Sequence, residues 1–391
     1  MSAREQRRGM HVAMLGSMPP AAGISAYCLE LARAVSRLVP IDFLAFKRMY
    51  PRFMHPGGAP EDHTMPNVPR DGLRVRRHLT WYNPLGWIWS GLRTPGEVLH
   101  AQWWSWPLGV VYCVILLLFR LRGRPIVLTM HNVSAHEAGR FSRWMDRLVV
   151  SLADRFIVHS ARNVEQLRRR YGIAGERIAR IPHGTIDFST EEGVTREEAR
   201  AELGVSPARP TILYFGTIRQ YKGLDNLLEA LRLVAEEVTD VLLIVAGKPW
   251  GDWRQYAAQI ERLGLKDHVL LHLDFVPAGA VGTYFQAADL VVLPYRHFES
   301  QTGVGMVALT FGKPLIVTDV GGLPDLVEDP ESLVPPEDPQ ALAASITKAL
   351  TDPDGLAAMS AASRRRAEQH GWADIAARTV ELYHEVTAKG S

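Results

Sequence analysis

The stretch TILYFGTIRQYKGLDNLLEALRLVAEE, residues 211–237, decides the fold. Thr211–Phe215 is a short β-branched and aromatic run of strand length. Leu224–Glu237 carries the leucine-rich spacing of an amphipathic helix. Between them lies GTIRQYKG, with Gly216 closing the strand, Gly223 opening the helix, and Arg219 and Lys222 three residues apart. A strand that runs through such a loop into a helix is the building unit of parallel sheets with crossover helices.

Working outward, the same unit recurs on both sides. Toward the C-terminus, strands are predicted at 241–246, 269–273, 290–293 and 315–318, alternating with helical patterns. Toward the N-terminus they are predicted at 11–15, 41–46, 98–102, 126–130, 156–159 and 178–181. The rhythm predicts an α/β chain of two Rossmann-like, doubly wound domains. The texture changes at IPHGTIDFST followed by the acidic EEGVTREEAR, which sets a hinge near Pro182–Glu192. Residues 1–186 then form a first domain, 187–370 a second, and 371–391 a closing amphipathic helix. Lys47–Gly72, rich in Pro and Gly and without periodicity, reads as a long loop.

The 391 residues are 47% hydrophobic and 22% charged, which excludes a disordered tail, a collagen-like repeat or a coiled coil as the main element. Two cysteines, Cys28 and Cys113, cannot build a disulfide framework, so a reducing compartment is expected. Met1–Gly9 is polar and arginine-rich, with no apolar segment behind it, so a cytoplasmic location is expected. The net charge of +2 hides an asymmetry: residues 1–190 carry 26 Lys and Arg against 13 Asp and Glu, and residues 191–391 carry 18 against 29. The basic half invites an anionic partner, whereas the acidic half argues against continuous wrapping by nucleic acid. One apolar run, PLGVVYCVILLLF at 107–119, is flanked by three tryptophans and by Arg120, Arg122 and Arg124. It is shorter than the ~20 residues a spanning helix needs. It reads either as a helix buried against the sheet or as one resting in the headgroup region.

Ligands of doubly wound sheets bind outside the carboxyl ends of the strands, so the loops there hold the candidate site. Arg219 and Lys222 form a candidate pyrophosphate clamp, a forked guanidinium beside a point-charge ammonium; two solvated loop cations are the plainer alternative. In PYRHFESQTGVGMVALTFGKP, Thr302, Gly303 and Val304 stand where a helix begins, so free amides and the helix dipole would face an anion. Glu299 just before them would grip sugar hydroxyls, or else is a solvated acid. Gly303-Val-Gly305-Met-Val-Ala308 imitates a dinucleotide fingerprint but lies too far from its strand. In the first half, Gly23 precedes a helix and would let a phosphate or sugar approach its N-terminus. His131 and Asn132 follow the strand at 126–130, with His136 and Glu137 in the same loop; the spacing does not match a zinc site. His131 reads as a hydrogen-bonding group of the cleft or as an ordinary loop histidine. The only Asp-x-Asp, Asp352-Pro-Asp354, lies between helices, where capping explains it.

These motifs together resemble the retaining glycosyltransferases of family 4, which have the GT-B fold, over nearly the whole chain. GTIRQYKG looks like the family's phosphate-binding segment and PYRHFESQTGV like its donor loop. FGKPLIVTDVGGLPDLV is similar to the strand and turn after that loop, and HNVSAHE and IPHG resemble a subgroup's first-domain and hinge motifs. GWADIAARTVELYHEV resembles the last helix, which in the family crosses back to the first domain. The resemblance implies two domains facing across a cleft. It implies that Arg219 and Lys222 hold the donor diphosphate and that Thr302, Gly303 and Val304 offer amides to its distal phosphate. Glu299 matches the first acid of a Glu, seven residues, Glu motif, and His131 the histidine near the transferred sugar. The second acid is replaced by Val307. The implied activity is metal-independent, cofactor-free hexosyl transfer, with retention, from a nucleotide-diphosphate sugar to a glycan or lipid-linked acceptor. Polysaccharide biosynthesis and a peripheral position on an anionic membrane, reached through the basic first domain, are expected with it. A non-catalytic nucleotide-sugar-binding module and a nucleotide-sugar epimerase or hydrolase are the rival readings.

Overall fold

The computed structural model describes residues 9–21, 23–51, 61–65, 72–131, 140–188, 193–299 and 301–388. The chain divides into two compact units, Met1–Gly184 with His370–Ser391, and Thr185–Gln369.

In the first unit, β1 (Val12–Gly16), α1 (Ser25–Ser36), β2 (Ile41–Arg48) and β3 (Leu73–Thr80) are followed by α2 (Pro84–Arg93), β4 (Val98–Trp103) and α3 (Gly109–Leu121). Then come β5 (Ile126–Met130), α4 (Arg140–Ser151), β6 (Arg155–Val158), α5 (Ala161–Tyr171) and β7 (Ile178–Arg180). The seven strands pair in parallel in the order β3-β2-β1-β4-β5-β6-β7. Strands β1, β4 and β5 are buried along their whole length because helices cover both faces of the sheet. Beneath α1, Met14, Phe43 and Val127 pack with Leu31 and Val35. Beneath α2, α3 and α4, Leu15, Leu99 and Leu128 pack with Trp87, Ile115 and Val149.

In the second unit, α6 (Arg196–Leu203), β8 (Thr211–Phe215), α7 (Leu224–Glu237), β9 (Leu242–Ala246), α8 (Arg254–Arg262) and β10 (Val269–His272) come first. They are followed by α9 (Ala278–Ala287), β11 (Leu290–Leu293), α10 (Gly303–Thr310), β12 (Leu315–Thr318), β13 (Leu333–Val334), α11 (Pro339–Thr351) and α12 (Pro353–Gln369). Here the parallel order is β10-β9-β8-β11-β12-β13, so the strand order reverses between β8 and β11. The last helix, α13 (Trp372–Ala388), returns to the first unit, where Ile375, Val380, Tyr383 and Val386 join the α1 side of the core. Asp352 accepts from Gly355 N at 2.9 Å, a cap on α12.

The structure adds four elements that the sequence reading did not assign: β3, α2, α6 and β13. The predicted loop Lys47–Gly72 loses its first two residues to β2, and most of its remainder lies outside the described residues. The apolar run at 107–119 forms most of α3, half buried and half facing solvent. Among the described residues no helix is long and apolar enough to cross a membrane.

Candidate active site

The reversal point between β8 and β11 is where an open parallel sheet leaves a crevice at its carboxyl edge. The loops leaving those two strands carry the two motifs singled out in the sequence. At Gly216, φ is +95°, and a Cβ there would stand 3.1 Å from Lys222 Nζ and 3.3 Å from Val304 Cγ2. Glycine is favoured because the left-handed backbone angle strains any residue with a Cβ, and a Cβ here would also push its two neighbours back by a few tenths of an ångström. Gly223, with φ +68°, lets the loop pass so close to Pro294 O that any Cβ would overlap it. Arg296 N donates to Tyr221 O at 2.8 Å, tying the β8 loop to the β11 loop. Gly216, Lys222 and Val304 are thereby brought together from segments some eighty residues apart.

Lys222 is 8% exposed, and its ammonium lies 5.6 Å from the centre of the Tyr295 ring. Burial, with the nearby Arg219 charge adding to it, pushes its pKa down to about 8. The Arg219 guanidinium sits over the Trp250 ring at 4.2 Å. Neither cation forms an ion pair among the described residues. Tyr295 OH and Thr302 Oγ1 are 3.3 Å apart, and Thr318 Oγ1 donates to Tyr295 O at 2.6 Å, so β12 holds the floor of the site in place.

Thr302 is the N-cap residue of α10, yet its side chain caps no amide. The first backbone bond of the helix runs from Met306 N to Thr302 O at 3.2 Å, which leaves the amides of Gly303, Val304 and Gly305 without helical acceptors. Glu299 lies on the same β11–α10 loop, partly buried, where the turn at Gly321 presses on its backbone. Val307 is buried in α10. The arrangement concentrates two cations and a helix N-terminus in one half-buried crevice, which is the electrostatic complement of a diphosphate.

The remaining candidates lie in the first unit. Gly23 is exposed ahead of α1, and no heavy atom lies within 4 Å of where its Cβ would stand. His131 follows β5, its amide donating to Trp103 O at 2.9 Å and its Nε2 lying 2.9 Å from Gln102 Oε1. Its ring meets Tyr27 edge-on at 4.7 Å and lies 5.3 Å from His159. Burial, reinforced by the neighbouring histidines, holds the His131 pKa well below the ordinary histidine value, so the ring is neutral. Asn132, His136 and Glu137 lie outside the described residues. The sequence reading missed Tyr295 and Trp250. Both follow a strand end, Leu293 and Ala246 respectively, so the rule that singled out Arg219 would have found them.

Two family models account for the chain: "Glycosyltransferase Family 4" over residues 21–186 and "Glycosyl transferases group 1" over residues 195–366. The chain belongs to this glycosyltransferase family and is a glycosyl-transferring enzyme with the GT-B fold. It is 30% identical to a D-inositol 3-phosphate glycosyltransferase of Thermobispora bispora, over 74% of this chain and 70% of that one. It is 28% identical to the enzyme of the same name from Xylanimonas cellulosilytica, over 98% of both chains. Among solved structures it resembles Anabaena HepE in complex with UDP-glucose, with a TM-score of 0.73 and 19% identity over 96% of this chain and all of that one.

Proposed function

We propose that this enzyme moves a hexosyl group from a nucleotide-diphosphate sugar to a glycan or lipid-linked acceptor, with retention at the anomeric carbon and without a metal ion. The observation that carries the proposal is the pairing of Arg219 and Lys222, two cations without carboxylate partners among the described residues, with the uncapped start of α10. Cleavage of the anomeric carbon–phosphate bond leaves negative charge on the nucleoside diphosphate. Donors already in place stabilise that charge without reorganising as it develops. In this reading Arg219 and Lys222 hold the diphosphate, and the amides of Gly303 and Val304, behind Thr302, take its distal phosphate. Gly216 admits the diphosphate close to the backbone, and Glu299 accepts from sugar hydroxyls. Gly23 leaves the start of α1 open to a sugar or phosphate. His131, held neutral, offers a hydrogen bond rather than a proton. Retention follows if the acceptor attacks from the face the diphosphate leaves, with the leaving phosphate taking the acceptor's proton.

The names of the inositol-phosphate glycosyltransferases suggest a phosphorylated acceptor, and the basic first half of the chain suits an anionic one. We assign the enzyme to polysaccharide biosynthesis in the cytoplasm, peripheral to an anionic membrane.

The test is Arg219→Ala. Transfer should fall by roughly 100-fold or more in kcat/KM, in line with loss of a charge-stabilising donor, while the far-ultraviolet circular dichroism is unchanged. Normal turnover by the folded variant would remove the clamp. A nucleoside diphosphate should raise the melting midpoint of the parent chain.

A further inference from the structure

Helices α2, α3 and α4 lie on one face of the first sheet, and their inward sides are satisfied by Trp87, Ile115, Leu116, Phe119, Val149 and Val150. Their packing is close: the backbone of Gly91 meets Leu118, and that of Gly109 meets Met145. A helix so placed is normally polar on its other side. On α2 and α3 that side is largely apolar, and on α4 it mixes large apolar side chains with arginines.

On α2, Leu85, Ile88, Trp89 and Leu92 are exposed at i, i+3, i+4 and i+7, a complete second apolar stripe, with Leu85 at 77% exposure. On α3, Val110, Leu117 and Leu121 face solvent along one line, Leu121 at 74%. On α4, Phe141, Trp144 and Leu148 repeat the pattern, the two aromatics at 57% and 55%. The Phe141 ring lies 5.8 Å from Trp106 and 5.8 Å from Trp144, so an aromatic string links the start of α3 to α4. Scattered exposed leucines need no explanation, but stripes on three adjoining helices do.

Among the described residues, the exposed charges on these three helices are all arginines, and Arg120 alone pairs with an acid, Asp154 beyond α4. Arg140, Arg143 and Arg147 run beside the apolar line of α4, with Arg93 ending α2 and Arg124 following α3. All five are exposed, and none forms an ion pair among the described residues. The three helices hold a single carboxylate, Asp146, which is buried and accepts from Trp103 Nε1 at 3.2 Å. A second copy of the chain docking symmetrically on this face would set arginine against arginine, with no exposed acid on the three helices to receive it. A bilayer carrying anionic headgroups accepts the whole pattern, with leucine side chains at the acyl boundary, tryptophan at headgroup level and arginine on phosphate.

We propose that the outward face of α2, α3 and α4 is a docking surface for an anionic lipid bilayer, with the three helices lying in the interface rather than crossing it. The inference rests on the reading above only in taking the acceptor to be presented at a membrane.

The test is co-sedimentation of the full chain with vesicles of phosphatidylcholine alone and of phosphatidylcholine with phosphatidylglycerol. Binding should be at least ~10-fold stronger to the anionic vesicles and should weaken with salt. Two paired variants, Trp144→Ser with Leu148→Ser and Arg143→Glu with Arg147→Glu, should each lose ~10-fold or more of that binding. Leu121→Ser, at an exposed helix end, serves as a third variant should a pair disturb folding, as judged by circular dichroism and melting midpoint. Equal binding to both vesicle types, or undiminished binding by folded variants, overturns the proposal. So does a dimer in light scattering that the same substitutions dissociate, with no vesicle binding. The transferase reading fails separately, if no nucleoside diphosphate shifts the melting midpoint and Arg219→Ala leaves transfer intact.

Discussion

At the scale of single residues, the molecule keeps two cations in a crevice with no carboxylate partner among the described residues. Lys222 is the more exposed to consequence, because its pKa of about 8 leaves it partly uncharged in mildly alkaline solution. A bound diphosphate favours the charged form, so binding near pH 8 should take up about half a proton, and affinity should fall as pH rises through 8. Calorimetric titration with a nucleoside diphosphate in buffers of different ionisation enthalpy measures this directly; heats that do not depend on the buffer would place the lysine outside the site. Arg219 and Lys222 were legible in the sequence because two cations three residues apart at a strand end are poorly explained by solvation. Trp250 and Tyr295 also stand at strand ends, but that each ring meets a cation is set by the packing of different strand loops, which no local pattern shows.

At the scale of elements, the loop between β8 and α7 depends on how close it comes to Pro294. Gly223→Ala forces both a left-handed conformation on a residue with a Cβ and an overlap with a carbonyl oxygen that cannot rotate away. A cost of about 1–3 kcal/mol is expected, read as a melting midpoint several degrees lower, with weaker nucleotide binding as Lys222 is displaced. A parent-like midpoint would show that the loop relaxes freely. The strands with clean apolar runs were found from sequence, several to the residue, because burial on both faces writes a continuous hydrophobic signal. The strand β3, LRVRRHLT, escaped because it lies at the sheet edge, where cations are tolerated; Arg76 Nε donates to Asp42 at 2.5 Å across the pair. Helix α2 escaped because its buried face is only Trp87, Ser90 and Gly91, and its apolar residues point the other way.

At the scale of the whole molecule, the first unit is built around histidines that are neutral when folded. Burial is the leading cause at each, with a neighbouring histidine's charge adding to it. The pKa falls to about 3 at His100 and His183 and about 4 at His159, and lies well below the ordinary value at His131. On unfolding these rings regain a pKa near 6.5, so below that pH the unfolded chain binds more protons. Their contribution to stability is therefore complete above about pH 6.5 and is lost as pH falls toward 4, at roughly 1.4 kcal/mol per pH unit for each histidine. Thermal melts from pH 7 to 4.5 should show a steep acid loss that a His159→Gln variant makes shallower; a flat profile would contradict it. The same unit depends on α13, whose Tyr383 hydroxyl lies 2.5 Å from His100 Nδ1. A chain ending at Gln369 loses Ile375, Val380, Leu382, Tyr383 and Val386 from the core, roughly 10 kcal/mol of burial and comparable to a domain's total stability. It should show no cooperative melt for the first unit. The sequence by itself determined the two-part α/β alternation, the cation pair and the helix start at Gly303, since each is written in neighbouring residues through periodicity, spacing and glycine placement. Only the tertiary structure decided which helix faces stay uncovered, which rings lie beneath the cations and which histidines lose their charge. Those properties arise from contacts between residues tens to hundreds apart, and burial is a property of the packed chain rather than of any segment.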